Sequence, residues 1–173
     1  MKLALALLLT FATPALAWNE PDSIGGVQWG ATQEDLRVQL QRAGQTVRCD
    51  SPEACVSLRT SFGSVPVDIM YVFPKDGKLE MAIVTFRPAE YGKLRAVFVE
   101  RYGAPMLARK EKSGVGCGET TNDIAEWSGE RVVIDLRRLS SKNEGRATIM
   151  LKALRDRGTV DADREQEPKK EQG

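Results

Sequence analysis

The stretch Val65–Phe86, reading VPVDIMYVFPKDGKLEMAIVTF, constrains the fold more than any other. Val65, Val67, Ile69, Tyr71 and Phe73 recur at every second residue. Successive side chains of an extended chain point to opposite faces, so all five stand together, and the face they make needs a core. Lys75, Asp76 and Gly77 then supply turn chemistry, because Asp tolerates a tight bend and Gly accepts positive φ at little steric cost. The run after them folds back antiparallel, and the rest of the chain reads as material packed on, or paired to, this hairpin-like pair.

The first seventeen residues read as a processing signal. Lys2 gives a positive start, Leu3 to Phe11 is an apolar run too short to span a bilayer, and Ala15, Leu16 and Ala17 form a small-x-small cleavage site. No cysteine follows that site, which argues against lipid attachment, and no later stretch approaches the roughly 20 apolar residues of a membrane helix. The expectation is an exported, soluble protein, periplasmic or secreted. It divides into a signal peptide (1–17), one domain (18–154) and a charged, disordered tail (155–173) too polar to order itself.

Within the domain, Thr32 with Asp35 three residues on is a variant capping box, and it starts an amphipathic helix with Leu36, Leu40 and Ala43 as its inner stripe. Gly44 is the expected stop. A second helix spans Ala89 to Tyr102, with Tyr91, Leu94, Val97, Phe98 and Tyr102 on one side and Gly103 and Pro105 ending it. Strand-like pieces surround the turn at Asp50 to Glu53. After a linking segment through Met106 and Leu107 and a glycine-rich loop, three more fall at Ile124 to Trp127, Arg131 to Leu139 and Arg146 to Leu154. The implied fold class is α+β: an antiparallel sheet covered on one face by two helices, which also reads as two tandem helix-plus-three-strand units.

The stretch GGVQWGATQEDLRVQL, the run VDIMYVFPKDGKLEMAIVTF, the ERYGAP after the second helix and the strand pair from Trp127 resemble a broad group of small exported bacterial proteins, mostly uncharacterised, with a Gly-x-x-Trp-Gly start and a Tyr-Gly-x-Pro helix end. The order of elements is also similar to that of beta-lactamase inhibitor proteins and of the small lipoprotein of the barrel-assembly machine. The likeness covers most of Ile24 to Leu154. Its motifs are structural punctuation, and it implies no catalytic residue.

Three cysteines in an exported chain meet an oxidising compartment and leave one unpaired. Cys49 and Cys55 flank a five-residue turn between strand-like pieces, so they are the first candidate disulfide; Cys117 with either of them is the alternative. Cys117, as the candidate free thiol, lies in a glycine-rich run that lacks the following helix and the Lys-Ser/Thr of a phosphate-cradling loop. The chain has no histidine, which removes Ser-His-Asp chemistry and the commonest metal ligand, and no two acids stand at catalytic spacing with a nucleophile. Trp29 and Trp127 read as core packing rather than ligand platforms.

The formal charge is +1, but it is uneven: Arg131 to Arg157 holds eight basic against three acidic side chains. Arg131, Arg137, Arg138, Lys142 and Arg146 are the candidate surface for an anionic or protein partner, if the strands bring them to one face. No aromatic residues interleave with them, so nucleic acid is not the expected partner. The reading at this point is a non-enzymatic binding or accessory protein of the cell envelope, without cofactor or metal, contacting a protein or an anionic envelope component. The alternative is a thiol-dependent enzyme or redox protein using Cys117.

Overall fold

The computed structural model describes residues 18–113, 120–139 and 143–157. A two-stranded ribbon, β1 (Ser23–Ile24) and β2 (Val27–Gln28), precedes helix α1 (Gln33–Arg42) and four strands: β3 (Arg48–Ser51), β4 (Ala54–Phe62), β5 (Val65–Val72) and β6 (Met81–Phe86). A 3-10 turn at Pro88–Glu90 leads into helix α2 (Tyr91–Tyr102). Four more strands follow, β7 (Leu107–Ser113), β8 (Thr120–Ser128), β9 (Val132–Leu139) and β10 (Glu144–Leu151), and then a helical turn over 152–157. The expected signal peptide, Cys117 with its glycine-rich loop, Lys142 and residues 158–173 of the expected tail lie outside the described residues.

Both helices start and stop for local reasons. The Thr32 hydroxyl accepts from the Asp35 amide at 3.2 Å while the Asp35 carboxylate accepts from the Thr32 amide at 3.0 Å, a reciprocal cap that satisfies two free donors. The bond the carboxylate accepts from the Thr32 backbone, and after it the one from the Thr32 hydroxyl at 2.7 Å, hold the Asp35 carboxyl below its usual pKa. Leu36 and Leu40 are buried as their spacing demands, whereas Ala43 is exposed because the helix ends at Arg42. In α2, Leu94, Phe98 and Tyr102 are buried and Gly103 closes the helix at φ +86°.

All strand pairings are antiparallel, and eight strands form one sheet in the order β3-β4-β5-β6-β10-β9-β8-β7. Each half of the chain makes a four-strand meander, and the last strand of each, β6 and β10, join the halves in a register that sets Val84 opposite Ala147 and Ala82 opposite Ile149. This corrects the expected fold class. The protein is mainly β, not a sheet covered by two helices, and each helix is followed by four strands rather than three. The reason is one of width. Seven interstrand steps span about 34 Å, and two short helices about 10 Å across cannot roof that.

The covering layer is therefore composite. On one face of the sheet stand Cys55, Ile69, Tyr71, Ala82, Val84, Ala147, Ile149, Ile134, Leu136, Ala125 and Trp127, all at most 2% exposed. Over them lie α1, α2 and the ribbon. The Phe98 ring stacks on Phe62 at 5.0 Å and meets Trp127 at 5.7 Å, and the Trp127 indole N–H donates to the Gly103 carbonyl at 2.8 Å, tying the end of α2 to β8. The ribbon approaches so closely that a Cβ on Gly25, at φ +60°, would sit 2.5 Å from the Tyr71 hydroxyl.

Candidate functional site

The opposite face of the sheet carries the alternate residues of the same strands. Val56, Met70, Ile83 and Thr148 stand side by side across β4, β5, β6 and β10, continued by Asp135 and Glu126 on β9 and β8. The neighbouring row runs Ala54, Val72, Met81, Met150 and Val133. Among these, Val56, Met70, Val72, Met81, Ile83 and Met150 are half-buried, a contiguous apolar stripe near the middle of the sheet to which the three methionines contribute flexible, polarisable side chains. Both helices lie on the other side.

The expected basic surface is divided by the pleat and by the length of the strands. Arg137 and Arg146 do share the face of the methionine stripe, but each is held by an acid two residues away: Arg137 by Asp135 at 2.6 Å and Arg146 by Glu144 at 3.1 Å. On the edge strand β7, Arg109 is bound to Glu111 at 2.7 Å and reaches Glu126 at 3.5 Å. Ile124, in the row between Arg137 and Arg109, is only 2% exposed although it faces away from both helices, as expected where arginine stems lie along apolar surface. The result is a border of in-plane ion pairs rather than a free cationic patch. Arg131 stands at the far end of the sheet, where its guanidinium pairs with Asp22 at 2.6 Å and its amide, with that of Val132, donates to Glu20. It clamps the lead-in segment to β9.

Arg138 faces the helix side, as adjacency to Arg137 in a strand requires. Register places Arg138 beside Asp123 on β8, and Asp123 beside Lys110 on β7. Arg138 and Asp123 form an ion pair whose carboxylate is 13% exposed, while Arg138 Nε is buried and meets no acceptor among the described residues. Tyr91 and Arg95, one turn apart on α2, complete a cleft of about 360 Å³ with the edge strand β7 and its neighbour β8. Burial, and then the Asp123 charge, raise the Tyr91 pKa against the opposing pull of Arg95 and Arg138. Composition alone missed this cluster. Strand parity, with Asp123, Arg138 and Lys110 each two residues from Ala125, Leu136 and Ala108, held the signal.

Cys49 and Cys55 form a disulfide with a Cα–Cα distance of 4.1 Å, Cys55 fully buried on the helix side. Trp127 is core, and Trp29 is half-buried with its N–H donating to the Pro21 carbonyl at 2.8 Å. No helix among the described residues is long and apolar enough to cross a membrane. No family model, no curated protein and no solved structure matches the chain.

Proposed function

We propose that the protein is an exported, non-enzymatic binding protein of the cell envelope that docks a protein partner on the face of its sheet turned away from the helices. The observation that carries this reading is the stripe of Met70, Val72, Met81, Ile83 and Met150, half-buried on three adjacent strands with both helices on the opposite side. A rigid hydrogen-bonded sheet presents these side chains at fixed spacing, while methionine adapts to the surface it meets. The pairs Arg137–Asp135, Arg146–Glu144 and Arg109–Glu126 border the stripe on one side with a polar rim of both signs, as protein interfaces border an apolar centre. A disulfide fits an oxidising compartment.

Photo-crosslinking in intact cells tests this reading. A photoreactive residue at position 83 or 150 is expected to give one discrete adduct that a residue at position 37, on the outer side of α1, does not. The same adducts from all three positions, or none from 83 and 150, would remove the proposal.

A further inference from the structure

We propose that the outer edge of β7 is a docking edge for an extended segment of another protein, which adds there as a further strand and carries acidic side chains at alternate positions on the helix side. The edge is separate from the methionine stripe, and the inference does not rest on the reading of that stripe.

A sheet edge carries a row of main-chain N–H and C=O groups without partners, and edges that must stay unpaired are blunted by short strands, bulges, prolines or covering segments. β3 and β7 are the two edges of the eight-stranded sheet. β3 is blunted in several ways. It has four residues, its register with β4 shifts between Arg48 and Ser51, Cys49 is bonded to Cys55, and the Ser51 carbonyl accepts from the Gln33 side chain at 2.9 Å. β7 is left open. Its seven residues pair with β8 in one unbroken register, no proline or glycine interrupts LARKEKS, and Ala108, Arg109, Lys110 and Lys112 are exposed. No strand pairs with its outer side among the described residues.

The charges on β7 select the occupant. Opposed residues of an antiparallel pair share a face, so when β7 pairs with its own copy over most of its length, the residue on the twofold axis meets itself: Arg109, Lys110 or Glu111. Like charges directly opposed destabilise the pair, and the strand rejects a second copy. A strand from another protein meets no such conflict. On the helix side Lys110 and Lys112 stand two residues apart, about 7 Å along the strand, with Ala108 before them. Lys110 lies beside Asp123, whose carboxylate is already paired with Arg138, and it makes no ion pair among the described residues. On the far side Arg109 and Glu111 satisfy each other at 2.7 Å and leave room for an uncharged neighbour. The complement is an extended segment with two acids at alternate positions and uncharged polar residues between them. Main-chain bonds give it affinity, and the acids facing the two lysines fix its register.

The experiment is a titration of the ¹⁵N-labelled full chain with the end-blocked peptide Thr-Thr-Glu-Thr-Glu-Thr-Val-Thr-Thr. Saturable shifts of the β7 and β8 amides are expected, with slowed hydrogen exchange at alternate residues of β7. The Lys110→Glu, Lys112→Glu double variant should weaken the apparent affinity at least about tenfold, and the same peptide with both Glu replaced by Lys should bind that variant and not the parent. This swap also shows that the variant is folded. Lys75→Glu, in the turn between β5 and β6, should leave the affinity unchanged. Main-chain pairing is read separately. An added strand turns only every second N–H toward its neighbour, so N-methylation of one alternating set of peptide residues should abolish binding and N-methylation of the other set should not. Shifts absent from β7, equal effects of the two N-methylated peptides, or a dimer of the peptide-free chain that protects the β7 amides would overturn the proposal.

Discussion

The two faces of the sheet are built from the same strands, and they differ in what each side chain is held by. Ile69 and Met70 are neighbours on β5; Ile69 is 1% exposed beneath the helix layer, while Met70 is half-buried on the far side. The same split divides Val84 from Ile83 and Ile149 from Met150. On the helix side, contacts come from other elements and cannot relax independently, as the Gly25 backbone against Tyr71 and the Phe98 ring against Trp127 illustrate. On the far side, contacts come from neighbours in the sheet itself, in the form of alternating hydrophobic pairs and ion pairs. The lesson is that one face carries the stability of the fold and the other is free to be shaped by what it meets.

The sharpest way to break that division is to truncate the side chain that ties most elements together. Trp127→Ala removes the contact with Phe98 and the bond to Gly103, and is expected to cost about 4 kcal/mol in chemical denaturation. Next comes Gly25→Ala, in which a left-handed backbone and a Cβ against the Tyr71 hydroxyl combine to cost about 2–3 kcal/mol; Tyr71→Phe in the same chain should recover part of it. Reducing the Cys49–Cys55 disulfide, which closes a ring only six residues apart in sequence, should cost about 2 kcal/mol, read as a lowered denaturation midpoint with dithiothreitol.

Smaller effects sharpen the comparison. Burial pushes the Tyr71 hydroxyl up to about 12, and it has no hydrogen-bond partner among the described residues. An unfolded tyrosine loses its proton near pH 10, so between about pH 10 and 12 the folded chain binds more protons and stability falls as pH rises. Tyr71→Phe should reduce that alkaline slope, and should raise stability by up to about 1 kcal/mol at neutral pH by removing an unsatisfied hydroxyl. On the far face, Arg137→Gln breaks a partly exposed ion pair and should shift stability by less than about 1 kcal/mol.

How much of this was legible in the sequence depended on whether the deciding contacts were local. The Thr32–Asp35 cap, the glycine stops at Gly44 and Gly103, and the alternation of β5 are set within a few residues, and each was readable. Strand β7 was not. In LARKEKS, charged residues occupy both parities because the strand lies at the sheet edge with little covering it, so no period-2 signal remained and the segment read as a link. The fold class failed for a related reason. The β6–β10 pairing that merges two meanders into one wide sheet joins residues some sixty positions apart, and nothing local announces it. The basic surface failed on a rule that was available: Arg137 and Arg138 are adjacent in a strand and face opposite ways, and Arg131 sits a strand length away. The cleft at Tyr91 needed the register of three strands before its residues came together.

The division between the two faces is tested most directly by one pair of substitutions measured side by side, Ile69→Ala and Ile83→Ala, which remove the same atoms from adjacent strands on opposite sides of the sheet. Equilibrium denaturation should give a loss of about 3–4 kcal/mol for Ile69→Ala and below about 1 kcal/mol for Ile83→Ala. Equal losses would contradict the account, because Ile83 would then be as tightly packed as the core and could not belong to a surface kept open for a partner.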